Sequence, residues 1–324
     1  MRKRFSRHSF VAAPFLLGLL FVAGIINVGA RTSADKALDF NGDGRADFSV
    51  FRTSNSTFYI ALDPNNANRN FRGVQFGQSS TDIITPGDYD GDGKGDVAVF
   101  RTTTGTFFVL RSSDNSFQAF QFGQNRDEPV ARDYDGDGKT DFAVVREVGA
   151  NLVWFITNSS NNSFRGQQFG LVGDAPAPGD YDGDGRFDLA VYRGSGADGT
   201  GQATFFVQRS RDGFTAVPFG LGSDSVVPGD YDGDGKTDFA VVRLGSPYTW
   251  FILNSSNNSF RAVQLGTKPD LTAQGDYDGD GKTDIAVFNP QSGNFIVLRS
   301  SDSVVTRTQF GQNGDIPVAN YDTH

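Results

Sequence analysis

The 324-residue sequence carries a net charge of −9 and contains no cysteine, which excludes a disulfide framework and thiol chemistry. The acidic balance argues against nucleic acid as a partner, because phosphate binding requires basic surface. Glutamate occurs only as Glu128 and Glu147, and histidine only as His8 and His324, whereas there are 40 Gly and 31 Phe. A composition dominated by Asp, Gly and Phe is typical of strands joined by tight turns.

The N-terminus has the composition of a secretory signal. A basic head (residues 2–7) precedes an apolar segment (10–28), and Val28-Gly29-Ala30 matches the small-residue pattern of a cleavage site. We therefore predict a signal peptide at 1–30, a polar lead-in at 31–38, secretion to the extracellular space, and no membrane span in the mature chain. An uncleaved anchor is the alternative, since about 19 apolar residues nearly span a bilayer. Cleavage would change the net charge from −9 to −13, because the head carries four basic residues.

A nine-residue acidic motif recurs six times in the rest of the chain. The copies are 45 to 50 residues apart and begin at Asp39, Asp88, Asp133, Asp180, Asp230 and Asp276. Repeats of this length are typical of solenoids and propellers. Each repeat also contains four short apolar segments, which are clearest at 225–229, 239–243, 249–253 and 260–265. Four strands per repeat predict one antiparallel sheet per repeat.

The third apolar segment of each repeat, such as Phe107-Phe108-Val109, is apolar at consecutive positions, which predicts a sheet packed on both faces. We therefore predict an all-β fold, a β-propeller of six four-stranded blades over 39–324, with seven blades as the alternative. The segment 315–319 matches the first strands of the repeats, and the first repeat lacks such a strand. We expect this C-terminal strand to complete blade one and close the ring, which removes two exposed sheet edges.

The acidic motif has the spacing of a metal-binding loop. In the copy 88–96, carboxylates stand at loop positions 1, 3, 5 and 9 and glycines at positions 4 and 6. Side chains at positions 1, 3 and 5 of a tight loop converge, and the position-7 carbonyl and the position-9 carboxylate complete an all-oxygen set that suits Ca²⁺ better than Mg²⁺. Position 12 is Val99 and the loop leads into a strand, which excludes an EF-hand. Asp-Gly turns without a metal are the alternative.

The motif therefore predicts about six Ca²⁺ sites. The loops hold 23 of the 36 Asp, and six Ca²⁺ ions would reduce a charge of −13 to −1. In the first loop Asn41 replaces the position-3 carboxylate, and at position 7 only the backbone carbonyl is a ligand. The predicted ligands, loop by loop, are Asp39, Asn41, Asp43, Arg45 and Asp47; Asp88, Asp90, Asp92, Lys94 and Asp96; Asp133, Asp135, Asp137, Lys139 and Asp141; Asp180, Asp182, Asp184, Arg186 and Asp188; Asp230, Asp232, Asp234, Lys236 and Asp238; and Asp276, Asp278, Asp280, Lys282 and Asp284.

The loop Gly-Asp-Tyr-Asp-Gly-Asp-Gly-Lys-Thr-Asp, preceded by Phe-Gly pairs such as Phe76-Gly77, resembles the FG-GAP and VCBS repeats over about 39–322. Such repeats form the Ca²⁺-binding propeller of integrin α chains and of many secreted bacterial proteins. The resemblance implies Ca²⁺ ligands at the loop positions named above, with the loops on one face and ligand binding on the other. Leu265-Gly266 replaces one Phe-Gly pair, and the Gly-Ala-Pro half of the family pattern is missing, so no integrin-like αβ partner is implied.

A second set of charges recurs once per repeat, on the face predicted to lie away from the metal loops. Arg52, Arg101, Arg146, Arg193 and Arg243 end the second strands, where the last repeat has Asn289. Asp82, Asp127, Asp174, Asp224, Asp270 and Asp315 begin the first strands. The arginines either form a ring that captures acidic ligands or pair with the Asp of their own blade, and the antiparallel register favours pairing.

These features predict a non-catalytic binding or adhesion module, a monomer whose partner is an extracellular protein or glycan. A polysaccharide-active enzyme and a purely structural cell-surface component are the alternatives. The mature chain has no Cys and no internal His, and metal takes most of its repeated Asp, which argues against catalysis. The candidate contact surface is the loop 194–203 together with Tyr248, with a flexible Gly-rich insertion as the alternative.

Overall fold

The computed structural model describes residues 36–195 and 201–319. The predicted signal peptide at 1–30, most of the lead-in, the tip of the loop 194–203, and residues 320–324 lie outside these ranges. The strands form six four-stranded antiparallel sheets, each of which is one blade of a ring. The predicted six-bladed all-β propeller is confirmed, and the alternative of seven blades is wrong.

The strands of the first three blades follow the chain from the innermost to the outermost position of each sheet. Blade 1 contains β1 (Ser49–Arg52), β2 (Thr57–Ala61) and β3 (Phe71–Gln75). Blade 2 contains β4 (Asp82–Ile84), β5 (Val97–Arg101), β6 (Thr106–Leu110) and β7 (Phe117–Gln121). Blade 3 contains β8 (Glu128–Pro129), β9 (Phe142–Val148), β10 (Asn151–Thr157) and β11 (Phe164–Leu171).

The last three blades repeat this order. Blade 4 contains β12 (Ala175–Pro176), β13 (Leu189–Ser195), β14 (Gly201–Arg209) and β15 (Gly213–Leu221). Blade 5 contains β16 (Ser225–Val226), β17 (Phe239–Arg243), β18 (Thr249–Leu253) and β19 (Phe260–Gln264). Blade 6 contains β20 (Leu271–Thr272), β21 (Ile285–Asn289), β22 (Asn294–Leu298) and β23 (Val305–Gln309), and the chain continues into β24 (Asp315–Pro317).

The ring closes through the C-terminal strand, as the sequence predicted. β24 pairs antiparallel with β1, so that Asp315 lies opposite Arg52 and Pro317 opposite Val50. The sheet order of blade 1 is therefore β24-β1-β2-β3, the same inner-to-outer order as in the other blades. Residues from the two ends of the described chain thus share one sheet.

A second closure runs around the axis through the backbone of the acidic loops, and we call it the inner hydrogen-bond ring. In each loop the position-8 N–H donates to the position-1 carbonyl of the preceding blade's loop, as Gly95 does to Asp39 at 2.8 Å. The other donors are Thr140, Phe187, Thr237 and Thr283, and their acceptors are Asp88, Asp133, Asp180 and Asp230. Ala46 of blade 1 then donates to Asp276 of blade 6 at 2.6 Å, which completes the ring.

The hydrophobic core lies between neighbouring blades. The third strand of every blade contributes one large aromatic side chain that is less than 2 % exposed; these are Phe58, Phe107, Trp154, Phe205, Trp250 and Phe295. The opposite face of the same strands is only half-buried, as at Phe108 and Phe155. In blades 1 to 5 an arginine side chain covers this second face, which explains why the sequence is apolar at consecutive positions although burial alternates.

Within 36–195 and 201–319, no helix combines the length and the apolar character that crossing a membrane would require.

Candidate metal centre

Each acidic loop folds around its first carboxylate. In the second loop the backbone N–H groups of Gly91 and Gly93 donate to the two oxygens of Asp88 at 2.6 and 3.0 Å. Both glycines adopt a positive φ, 80° and 87°, which side chains other than glycine tolerate poorly. A Cβ at Gly91 would also lie 2.5 Å from Cε of Lys139 in the next blade. The glycines at positions 4 and 6 therefore permit the turn and the close approach of the neighbouring loop.

The predicted acidic ligands converge in five of the six loops. In each of the five, oxygens of three carboxylates lie within 4.8 Å of one another. The triads are Asp88, Asp90 and Asp96; Asp133, Asp135 and Asp141; Asp180, Asp182 and Asp188; Asp230, Asp232 and Asp234; and Asp276, Asp278 and Asp284. Four triads use positions 1, 3 and 9, and the blade-5 triad uses positions 1, 3 and 5. Such an all-oxygen donor set can hold a hard metal ion.

Asp182 shows most directly that the loops suit a cation. Its side chain is almost fully buried, and its Oδ2 accepts hydrogen bonds from the backbone N–H groups of Arg211 and Asp212. Its Oδ1 is also buried but has no hydrogen-bond partner among the described residues. A buried carboxylate oxygen without a donor is costly, and a metal ion beside Asp180 and Asp188 would satisfy it. The donor set thus fits a hard divalent cation.

The position-9 carboxylates lie in a setting that opposes their charge. Burial raises the pKa of Asp96 to about 6, the backbone N–H of Ser112 opposes this shift, and the charge of Asp90 adds to it. Burial likewise raises the pKa of Asp47, Asp141 and Asp188 to about 7, and that of Asp238 and Asp284 to about 6. A bound cation would favour the ionised form of each carboxylate and offset the cost of burial.

Serine-rich turns between the third and fourth strands support the loops, and the sequence analysis missed them. In blade 2, the Ser112 N–H donates to Asp96 Oδ1 at 2.6 Å, and Ser113 Oγ donates to Asp90 Oδ2 at 2.6 Å. Equivalent bonds come from the pairs Ser159-Ser160, Ser255-Ser256 and Ser300-Ser301. The signal was present, because each Ser-Ser pair begins 16 to 18 residues after a position-9 Asp.

The position-7 side chains connect each loop to the one before it. Lys139 Nζ donates to the carbonyl oxygen of Asp90 at 3.1 Å, and the Arg45 side chain packs over Gly279 across the closure. The same contact recurs for Lys94, Arg186, Lys236 and Lys282 over Gly42, Gly136, Gly183 and Gly233. These side chains therefore join neighbouring blades. The assignment of the position-7 carbonyls as metal ligands stays a prediction.

The first loop differs from the other five. Asn41 Nδ2 donates to Asp47 Oδ1 at 2.7 Å, and the backbone N–H groups of Phe40 and Asn41 donate to Asp47 Oδ2. The side-chain amide of Asn41 thus takes the place of the position-3 carboxylate and donates a hydrogen bond to the position-9 carboxylate. Asp39, Asp43 and Asp47 do not form one of the acidic triads. We expect this loop to bind a metal ion more weakly than the five loops that form triads.

Replacing Asn41 by Asp tests this difference. We expect the variant to bind one metal ion more per chain than the parent, because it restores the carboxylate that the other loops share. In metal-free buffer it should melt at a lower temperature than the parent, because the new charge faces Asp47 without the amide hydrogen bond. Metal content and thermal unfolding of the two proteins check both effects. An unchanged metal content would contradict Asn41 as the cause of the weaker binding.

The opposite face carries the predicted Arg–Asp pairs, and in five blades the pairing interpretation is confirmed. In blade 2, Arg101 Nε and Nη2 donate to the two oxygens of Asp82 at 2.8 and 3.0 Å. Arg52 binds Asp315 in the same way across the closure. The other pairs are Arg146–Asp127, Arg193–Asp174 and Arg243–Asp224. Each of these arginines thus binds the Asp of its own blade. This pairing argues against the alternative of an arginine ring that captures acidic ligands.

The proposed contact at Tyr248 is wrong, because Tyr248 is 3 % exposed and its hydroxyl donates to the carbonyl oxygen of Asp270 at 3.0 Å. The loop beside it is only partly described: Ser195 and Gly201 lie in the paired strands β13 and β14, and residues 196–200 lie outside the described ranges. A buried tyrosine of this kind supports the backbone between two blades and does not contact a partner.

The repeats, the closed six-bladed ring and the acidic loops define a class of repeat propeller, and a comparison with family models identifies it. The FG-GAP-like repeat model matches residues 39–99, 133–191 and 230–287, which together exceed half of the chain, and the FG-GAP repeat model matches 271–312. The chain belongs to the FG-GAP-like repeat family. No curated protein matches the sequence.

Solved structures resemble this chain at low sequence identity. TolB from Acinetobacter baumannii is 14 % identical with a TM-score of 0.56, and the match covers 86 % of this chain and 67 % of TolB. A protein from Lactobacillus plantarum is 10 % identical with a TM-score of 0.43, covering 84 % of this chain and 86 % of that one. Apo AztD from Citrobacter koseri is 13 % identical with a TM-score of 0.31, covering 83 % and 89 %. The TolB match supports the propeller fold alone.

Proposed function

We propose that this chain is a secreted Ca²⁺-binding β-propeller that acts as a non-catalytic binding or adhesion module for a protein or a carbohydrate. The observation that carries the proposal is the ring of five acidic triads, linked from blade to blade by the inner hydrogen-bond ring. With Ca²⁺ bound, the loops would hold neighbouring blades together on one face and leave the opposite face for the ligand. Metal sites of extracellular modules have dissociation constants of about 10⁻⁴–10⁻³ M, which extracellular Ca²⁺ would fill.

A binding screen with and without Ca²⁺ tests the proposal. Purified protein is applied to a glycan array and used in a pull-down from cell-surface extracts, each in Ca²⁺ and in chelator. We expect at least one ligand that binds in Ca²⁺ and is released by chelator, because the metal holds the loops that shape the ring. Retention of no glycan or protein in either buffer would contradict a binding role and favour the structural alternative.

The elevated pKa values predict that the stabilising effect of Ca²⁺ increases with pH. The pKa of Asp141 is about 7 in the folded state, against an ordinary value of 3.8. The folded metal-free protein therefore binds more protons than the unfolded chain between these values and loses stability as the pH rises through this range. Ca²⁺ requires the ionised carboxylates, so its stabilising effect grows over the same range.

The measurement is thermal unfolding from about pH 4.5 to about pH 8, in Ca²⁺ and after exhaustive removal of metal. We expect the difference in unfolding midpoint between the two conditions to be small at the acid end and largest above neutral pH. Groups that titrate outside the loops affect the midpoint equally in both conditions, so their contribution cancels in the difference. A difference that is independent of pH would contradict the coupling.

One observation favours the alternative of a polysaccharide-active enzyme. The only two glutamates of the sequence, Glu128 and Glu147, line the same cavity of about 540 Å³ between blades 3 and 4, together with Arg126 and Arg146. Paired carboxylates are the usual groups of glycoside hydrolysis. Release of reducing sugar from a polysaccharide panel, abolished by Glu128→Gln or Glu147→Gln, would support this alternative over the binding role.

A further inference from the structure

Blade 6 lacks the arginine that ends the second strand in each of the other five blades. In those blades an arginine at the end of the second strand donates from Nε and Nη2 to both oxygens of the blade's Asp, at 2.7 to 3.0 Å. Its guanidinium also stacks 4.1 to 4.6 Å from an aromatic ring of the third strand. In blade 6 the arginine is replaced by Asn289, which gives Asp270 one bond from a neutral amide, at 2.6 Å.

The carboxylate of Asp270 is nevertheless held as in the other blades. Its Oδ2 accepts the backbone N–H of Thr267 at 3.0 Å, the same bond that Asp224 accepts from Leu221 at 2.9 Å in blade 5. Asp270 is 5 % exposed and forms no ion pair within the described residues. A buried carboxylate that is oriented for a guanidinium but lacks one has a strong electrostatic preference for a cation.

The apolar residues around this position are also smaller in blade 6. In blade 5, Phe260 packs against Phe251 of its own blade and Phe219 of β15 in blade 4, with ring centroids 6.1 and 6.2 Å apart. The equivalent residues in blade 6 are Val305, Ile296 and Leu265. One aromatic cluster and one arginine side chain are thus replaced by smaller groups at a single place in the ring.

A cavity of about 670 Å³ opens at this place. Its lining includes Asp270 and the four residues that depart from the repeat, Asn289, Leu265, Ile296 and Val305. The volume lies in the range of small-molecule and side-chain pockets. The cavity faces the side of the propeller away from the acidic loops, because Asp270 and Asn289 stand at the opposite ends of their strands.

The rest of the lining is suited to a planar cation with several N–H groups. Ser246, Thr267 and Ser292 contribute hydroxyls, and Asn294 contributes an amide. A guanidinium has five N–H groups, and these oxygens can accept hydrogen bonds from the ones that do not bind Asp270. Arg307 is the one cationic residue of the lining and is exposed on the outermost strand. Its positive charge opposes the binding of a second cation, so the attraction of Asp270 has to outweigh it.

We propose that the blade 5–6 cavity is a binding site for an external guanidinium group, the arginine side chain of a partner polypeptide. The incoming group would take the place that Arg243 and its four equivalents occupy in the other blades, with Asp270 as its carboxylate. This inference rests on the proposed binding role and names the chemistry of one subsite. It does not require Ca²⁺ at the cavity itself, because the acidic loops lie on the other face.

Calorimetric titration with N-acetyl-arginine methylamide, agmatine and the neutral isostere N-acetyl-citrulline methylamide tests the site. We expect the parent protein to bind both guanidinium compounds with dissociation constants of about 1 mM or below. Citrulline keeps the shape and loses the charge, so its affinity should fall by about tenfold or more. Tighter binding of the arginine compound than of agmatine indicates a polypeptide source, and the reverse order would overturn it in favour of a small amine ligand.

The variant Asn289→Arg supplies a control that is expected to fold at least as well as the parent. It restores the residue of the other five blades, so the protein's own guanidinium should pair with Asp270, raise the unfolding temperature and abolish binding of the arginine compound. Asp270→Asn should also abolish binding. Arg307→Ala should leave binding intact or strengthen it. Equal affinity for citrulline, or undiminished binding by the Asn289→Arg variant, would overturn the proposal.

The test of the guanidinium site can fail or succeed independently of the binding screen. Macromolecular ligands that bind the parent and the Asn289→Arg variant equally would preserve the proposed function and overturn the guanidinium site. Binding of the arginine compound by the parent, lost in Asn289→Arg, would support the site even if the screen retained no ligand.

Discussion

Removal of Ca²⁺ should lower the thermal unfolding midpoint by about 3–12 °C. Five sites with dissociation constants of about 0.1–1 mM, at about 1 mM free Ca²⁺, would add about 2–7 kcal/mol to the free energy of unfolding by mass action. For a folded region of this size such a change corresponds to the stated shift in midpoint. The physical cause is the repulsion among carboxylates whose oxygens lie within 4.8 Å in each triad. Thermal unfolding followed by circular dichroism in Ca²⁺ and in chelator gives the comparison.

Two controls define the cause of this shift. Addition of Ca²⁺ in excess of chelator should restore the midpoint, and Mg²⁺ at the same concentration should restore it only in part, because Mg²⁺ retains its water ligands. The double variant Asp88→Asn and Asp90→Asn removes one triad and should lower the Ca²⁺-dependent shift by about one fifth, since five triads contribute. Equal midpoints with and without chelator would contradict a stabilising role for the metal.

Replacing Asp315 by Ala should destabilise the whole propeller by about 3 kcal/mol, because it leaves Arg52 without its partner in a largely buried pair. Asp315 is fully buried, and its oxygens accept hydrogen bonds from Arg52 Nε and Nη2 and from the Gln312 N–H at 2.8 to 3.0 Å. Arg52 and Asp315 are 263 residues apart in sequence. They lie in β1 and β24, which pair although they stand at opposite ends of the described chain. Chemical denaturation measures the change.

The chain provides two matched comparisons for this variant. Asp224→Ala removes the equivalent pair with Arg243 inside blade 5 and should cost a similar amount. Asp302→Ala removes a surface pair with Arg299, whose partners are both more than one third exposed, and should cost about 0.5 kcal/mol or less. If Asp315→Ala behaved like Asp302→Ala, the C-terminal strand would not close the ring in solution.

Much of the fold could be read from the repeats, because each repeat carries the same local information six times. The strands that the sequence predicted at 239–243 and 249–253 coincide with β17 and β18. The missing first strand of repeat one and the surplus strand at 315–319 predicted the closure, since an unpaired sheet edge is unfavourable. The Arg–Asp pairs followed from the antiparallel register.

The features that escaped prediction depend on contacts between repeats or on differences among them. The inner hydrogen-bond ring joins position 8 of one loop to position 1 of the preceding loop, and no spacing within one repeat reveals it. Tyr248 lies in an irregular turn whose path the sequence does not indicate, and the structure buries it. The replacement of Arg by Asn289 was visible in the sequence, but only the structure shows that Ile296, Val305 and Leu265 border the same cavity.

Calorimetric titration of metal-free protein with Ca²⁺ near neutral pH tests the central claim most directly. The arrangement of the acidic loops predicts about five Ca²⁺ ions per chain, one for each triad, with dissociation constants of about 10⁻⁴–10⁻³ M. The first loop should bind more weakly than the others, because an amide of Asn41 occupies its position-9 carboxylate. Absence of Ca²⁺ binding up to about 10 mM, well above the affinity range of such sites, would contradict the assignment of the loops as metal centres.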